Sequence, residues 1–267
     1  MYSLSHALLA VECRNLWCNM GFWLRHDGSE ITNFSEACEQ MADMLLERAG
    51  VAADMEVLDV AVGCGSQIRL TWQKVPALAF YMCVSYEKDQ FQISQKIVRD
   101  LPNLQSQKTC LVNESAESWN RFDSIHAQWD RILVLDAIYH WNRWDWLYKA
   151  IERLKSKGIV VFTDLVVSST PSRLTRLVSY LTGANLMTMD MYRSKLALYD
   201  AEVTIEDLSP HVFGHLANHI DRQKDLWRIL GVPWWTWGKY ELFGRYLKYV
   251  AASKELLFVL VTLKRST

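Results

Sequence analysis

From Asp59 to Gly65 the sequence reads Asp-Val-Ala-Val-Gly-Cys-Gly, directly after a short apolar run and directly before a helical pattern. Glycines at such a turn let backbone N–H groups approach a ligand closely, and a helix N-terminus behind them adds partial positive charge. That combination suits a carboxylate or a phosphate. A pyrophosphate-binding turn carries G-x-G-x-x-G; the third glycine is missing here, which argues against a nicotinamide oxidoreductase. A tight strand-to-helix turn needs glycine for steric reasons anyway, so the turn alone identifies no ligand. Later in the chain, His140 follows a second apolar run, and its imidazole has an ordinary pKa near neutrality, as acid–base chemistry requires. Asp164 ends a third such run. His215 and His219 share one helix face, but no acidic third ligand accompanies them, so no metal site is expected. The six cysteines (Cys13, Cys18, Cys38, Cys64, Cys83, Cys110) show neither C-x-x-C nor Cys/His ligand spacing. Reduced, buried thiols are the expectation.

The elements that must position these residues follow from period and punctuation. Asn33 is placed to cap a helix, with Glu36 reaching back to it; Phe34, Cys38, Met41 and Leu45 recur at helical spacing, and Gly50 stops it. Met55 to Val60 then reads as a strand and Ser66 to Lys74 as a helix. Leu78 to Val84, Thr109 to Asn113, Arg131 to Asp136 and Gly158 to Thr163 read as further strands, with helices over Lys88 to Asp100 and about Arg143 to Lys155. Strands alternating with helices predict a parallel sheet covered on both faces. Residues 165–197 break that rhythm and read as a helical insertion, either a substrate lid or a packing pair of helices. A strand over Leu198 to Ile205, a helix near Val212 to Ile229, a Trp-rich stretch GVPWWTWG and a closing strand complete the chain.

Composition bounds the rest. With 267 residues, 50% hydrophobic and 22% charged, the chain reads as one globular domain, with residues 1–50 as an N-terminal helical cap. A net charge of −1 supplies no basic surface for nucleic acid. The opening MYSLSHALLAVECRN lacks a positive n-region and a cleavage site, so no signal peptide is expected and a cytoplasmic protein is. The apolar run Leu256 to Leu263 is too short to span a bilayer. The 12 Trp and 11 Tyr fill a core, line a pocket, or both.

VLDVAVGCGS resembles the first motif of the class I S-adenosylmethionine-dependent methyltransferases, typically VLDVGCGTG. Asp59, Gly63 and Gly65 match, and Ala61 replaces the first glycine, the smallest change possible there. Asn19-Met-Gly-Phe-Trp23 is similar to the NLGYW segment of small-molecule members, the sterol, tocopherol and sugar-O-methyl type. Asp136-Ala-Ile-Tyr-His140-Trp, Leu154-Lys-Ser-Lys-Gly158 and Phe162-Thr-Asp164 are similar to the family's fourth strand, LKPGG turn and strand-five end, in that order. The resemblance implies a doubly wound, mostly parallel seven-stranded α/β sheet, Rossmann-like, with N-terminal helices and the insertion after strand five.

It also implies S-adenosylmethionine as cofactor, bound by Asp59, Ala61, Gly63 and Gly65, with backbone atoms of Ala61 and Gly63 meeting its amino-acid end. Ser85 stands where many members place a ribose-binding acid; one hydroxyl in place of a carboxylate implies a weaker contact. Gln90 matches a recurrent glutamine, Glu114 and Ser115 align with the segment that reads adenine, and Asp136 closes the pocket. For a hydroxyl acceptor, His140 would serve as base with Asp164 orienting it, and Trp23, Tyr139 and Trp141 would wall the acceptor pocket. The implied partner is a small hydrophobic or aromatic acceptor methylated at O, N or C, on a monomer or homodimer. Cyclopropane formation is disfavoured, since no bicarbonate site or membrane-facing basic patch is legible. The altered residues Ala61 and Ser85 and the shortened KSKG turn also admit a protein that binds the cofactor without methylating, as a pericyclase would.

Overall fold

The computed structural model describes residues 16–266; Cys13, His6 and the opening segment lie outside them. Seven strands, β1 (Glu56–Val60), β2 (Phe80–Val84), β3 (Thr109–Val112), β4 (Trp129–Val134), β5 (Leu154–Val167), β6 (Ala201–Asp207) and β7 (Leu256–Arg265), form one open sheet in the order β3-β2-β1-β4-β5-β7-β6. β1 to β5 run parallel, while β7 is antiparallel to both β5 and β6. The order reverses beside β1, between β2 and β4, and it is outside such a reversal that doubly wound sheets bind ligands.

Ten α-helices are described: α1 (Phe34–Ala49), α2 (Ser66–Lys74), α3 (Lys88–Arg99), α4 (Asn103–Gln107), α5 (Trp119–Asp123), α6 (Arg143–Glu152), α7 (Arg173–Thr182), α8 (Met189–Leu196), α9 (Phe213–Ile229) and α10 (Trp234–Ser253). Alternation along the strands sorts the core into two layers. Val57, Leu133 and Val161 pack with α1, α2, α9 and α10 on one face. Leu58, Val60, Ile132 and Val134 pack with α5, α6 and α8 on the other. α1 starts where Asn33 Oδ1 accepts from the Glu36 N–H and stops at Gly50, which takes φ 58°. The Glu36 carboxylate meets Arg25 Nε at 2.6 Å.

The structure departs from the sequence expectation in four places. Residues 16–33 contain no helix, so the helical part of the N-terminal cap among the described residues is α1 alone. β5 runs through Val167 because β7 pairs with it from Ile159 to Val167, so the helical insertion starts only at Arg173. On the β4 side, Leu154 pairs with Trp129 and pairing resumes at Ile159 with Arg131, so Lys155–Gly158 loops out of the ladder. The Trp-rich stretch opens a 20-residue helix, α10, that the periodicity does not announce. No helix of the described residues is long and apolar enough to cross a membrane.

Candidate cofactor and acceptor site at the carboxyl edge of the sheet

The turn after β1 takes left-handed backbone at Ala61 (φ 66°), Gly63 (φ 56°) and Gly65 (φ 84°). Gly65 could not be replaced without movement: a Cβ there would lie 2.9 Å from Ser94 Oγ and 3.0 Å from Ser94 Cα. α3 therefore presses directly on the turn. Ser94 Oγ also donates to the Gly63 carbonyl at 2.9 Å, and Ser85 Oγ donates to the same oxygen at 3.1 Å. Ser85 thus spends its proton bracing the turn. Gln90, one helical turn before Ser94, sits over Gly63, its Oε1 4.0 Å from where a Cβ would be. Cys18 covers the turn from the N-terminal segment, its Sγ 3.8 Å from Cys64 Sγ. The five described cysteines are free thiols.

Asp59, the penultimate residue of β1, is fully buried. Its Oδ2 accepts from Tyr81 Oη at 2.5 Å and Gln67 Nε2 at 2.9 Å, while Oδ1 has no hydrogen-bond partner among the described residues. Burial pushes this carboxyl up to about 7, against the pull of those two donors. Asp136, expected to close the pocket, is engaged: Oδ1 accepts from Tyr139 Oη at 2.6 Å and Oδ2 from the Met20 N–H at 2.9 Å. It sits at φ 55°, and burial raises it to about 6. Through Met20 it holds the Asn19–Trp23 segment across the carboxyl edge, while Asn19 Nδ2 and Cys38 Sγ tie that segment to α1.

His140 ends a short 3-10 turn, Ile138–His140, beyond β4. Its ring donates to the Gly183 carbonyl, and burial, aided by the Arg143 charge, lowers it to about 4. Asp164 does not orient it. That carboxylate is fully buried and accepts from Arg143 Nη1 at 2.7 Å, Tyr192 Oη at 2.8 Å and the Leu165 N–H at 2.7 Å. Burial raises Asp164 to about 6 despite the guanidinium beside it. Arg143 Nη2 further donates to the Asn185 carbonyl, the Asn185 N–H to the Tyr139 carbonyl at 2.8 Å, and Asn185 Nδ2 to the Trp141 carbonyl at 3.4 Å. The segment joining α7 to α8 is thereby fastened to the turn that carries His140.

Sequence reasoning missed Arg143 and Ser94. For Arg143 a signal existed: a cation in the first turn of a helix opposes the helix dipole and asks for a buried anion nearby. Ser94 left none. Trp23, expected to wall an acceptor pocket, is fully buried against Phe34 and His219 and belongs to the core. Tyr139 and Trp141 are the chain neighbours of His140: the Tyr139 ring centroid lies 4.3 Å from the imidazole, and the Trp141 ring lies 6.0 Å from that of Trp146. Trp141 is half-buried, its indole nitrogen without a hydrogen-bond partner among the described residues. Glu114 accepts from Ser118 Oγ at 3.3 Å and Ser115 Oγ accepts from the Glu117 N–H, both in the loop after β3.

No family model matches the sequence. A curated relative, the methyltransferase GfsG of Streptomyces halstedii, is 28% identical over 156 residues, which is 56% of this chain and 51% of that protein. The chain thus spans about half the length of that relative. Among solved structures, the cyclopropane synthase MmaA2 of Mycobacterium tuberculosis superposes with a TM-score of 0.78 at 17% identity, over 98% of this chain and 94% of that one. The geranyl diphosphate C-methyltransferase of Streptomyces coelicolor A3(2), solved with S-adenosyl-L-homocysteine, gives 0.76 at 12% identity, over 98% and 92%. The [4+2]-cyclase SpnF gives 0.72 at 16% identity, over 99% and 94%. Sheet order, glycine turn and these likenesses agree: the chain has the Rossmann-like fold of the class I S-adenosylmethionine-dependent methyltransferases.

Proposed function

We propose that the protein is an S-adenosylmethionine-dependent methyltransferase acting on a small hydrophobic or aromatic acceptor. The observation that carries this reading is the pairing of a turn held left-handed at three positions with the unpaired, fully buried Oδ1 of Asp59 at its foot. An unsatisfied buried carboxylate oxygen costs about 1–3 kcal/mol or more, and an ammonium satisfies it. The turn and the N-terminus of α2 suit the neighbouring carboxylate. An amino-acid tail carries both groups, so the residues present fit this cofactor. When bound, it supplies a methyl group on a sulfonium sulfur.

The chain's own residues bind, orient and exclude water. Gln90 lies over the glycine turn, and Ser94 and Ser85 fix the turn's shape from behind through the Gly63 carbonyl. Ser85, with its proton committed, has its oxygen lone pairs left for a ribose hydroxyl, and Glu114 and Ser115, in the loop after β3, are assigned to the adenine end. The His140 ring, neutral above about pH 4, can accept a proton from an acceptor hydroxyl; Tyr139 and Trp141 are its chain neighbours. A base this weak gives a modest advantage, so much of the rate comes from orientation.

The test is transfer of labelled methyl from the cofactor to a panel of phenols, amines and sterols. His140→Ala should lose about a hundredfold in turnover while cofactor affinity is kept. Unchanged turnover makes His140 structural. Product formed with the label left on the cofactor favours the cyclase-like reading that the likeness to SpnF also suggests.

A further inference from the structure

α9 and α10 form an antiparallel hairpin between β6 and β7. Lys224 pairs with Glu241 across it, Asp221 with Lys248, and Gly244 lies against Ile220. Its inner side is filled by Trp227 stacked on Trp237 and tilted against Tyr240. Its tip is the reverse. Ile229 is 81% exposed, Leu230 56%, Trp234 68% and Trp235 70%. Four large apolar side chains within seven residues stand in water there and contribute nothing to the core. Beside the hairpin, Thr175 Oγ1 of α7 meets Tyr246 Oη of α10 at 3.3 Å. α7 likewise turns Leu177, Tyr180 and Leu181 outward.

Charge identifies what covers this surface. The chain carries a net −1, yet the hairpin, 213–253, holds six basic and three acidic residues, and α7 adds Arg173 and Arg176 with no acid. A two-fold pairing of copies through the tip would set this cationic surface against itself, which like-charge repulsion opposes. Exposed tryptophans on a projecting turn suit a different medium, because an indole places an apolar body and a polar N–H at the depth of lipid headgroups. Flanking cations are drawn to anionic lipid. We propose that the α9–α10 tip docks the protein on an anionic phospholipid surface. The sequence reading found no membrane-facing basic patch because the six basic residues are scattered over residues 213–253 and share one hairpin only when α9 and α10 pair. The proposal is independent of methyl transfer.

The full chain is sedimented with vesicles of phosphatidylcholine and with vesicles of phosphatidylcholine mixed with phosphatidylserine. The protein should pellet with the mixed vesicles, less with phosphatidylcholine alone, and less at high salt. The double variant Trp234→Ala/Trp235→Ala, altered only at exposed positions, should keep its melting temperature and lose about tenfold or more in partitioning. Wild-type protein remaining in the supernatant with both vesicles overturns the proposal, as does a double variant that binds like wild type. A wild-type dimer that becomes monomeric in the double variant, with neither on vesicles, assigns the tip to a second copy instead.

Discussion

Ala61 stands at φ 66° where the family motif has glycine, and the conformation rather than the space explains that glycine. A left-handed L-residue costs roughly 1–2 kcal/mol, whereas glycine costs about 0.4–1 kcal/mol through the freer unfolded chain. Ala61→Gly should therefore raise stability by about 0.5–1 kcal/mol, read by urea denaturation. Asp59 carries the sharper pH signature. Its folded pKa of about 7 lies above its ordinary 3.8, so the folded state holds the extra proton between those values. The penalty of burying the anion is present above pH 7 and relieved as pH falls through it, so on this account stability rises toward pH 5. A cationic ammonium needs the anion, so cofactor affinity should fall by up to about tenfold per pH unit below 7. Asp59→Asn should weaken binding at pH 8 and flatten that profile; an unchanged profile would remove Asp59 from the site.

At the scale of elements, two fastenings shape the site. α3 presses Ser94 into the glycine turn, so Gly65→Ala meets both the left-handed φ and a Cβ contact of 2.9 Å. It should cost about 2 kcal/mol or more, measured by thermal or urea unfolding, and abolish cofactor binding. Arg143 ties α6 to β5 through Asp164 and to the α7–α8 segment through Asn185. Removing one member of a buried ion pair leaves the other uncompensated, at about 3–5 kcal/mol, while replacing both by apolar residues is often neutral. Arg143→Met alone should destabilise by that amount, and Arg143→Met with Asp164→Leu should recover most of it; a double variant as unstable as the single would show that the pair does more than compensate itself. Local signals made α1 and α2 legible, down to the Asn33 cap and the Gly65–Ser66 start. α10 was not, because Gly238 and Gly244 interrupt it and no side-chain cap opens it. Ser94 and Arg143 act on partners 31, 21 and 42 residues away, a distance no local pattern reports.

For the whole molecule, the β/α alternation and the ordered motifs were enough to give the doubly wound sheet, and the strand order β3-β2-β1-β4-β5-β7-β6 places the glycine turn at the reversal. The roles of Asp164 and Trp23 were misread for one reason: a motif fixes where a residue sits along a strand, while its partners depend on which helices pack over that strand. Asp164 found Arg143 and Tyr192, and Trp23 found Phe34 and His219. The central claim is that the carboxyl edge beside β1 holds a sulfonium nucleoside by its amino-acid tail. Titration calorimetry of the purified chain with S-adenosylmethionine, S-adenosylhomocysteine and NAD tests it directly. The first two should bind at one site per chain and lose affinity in Asp59→Asn, with no heat from NAD. Silence toward all three, or NAD binding in preference to the others, would contradict it.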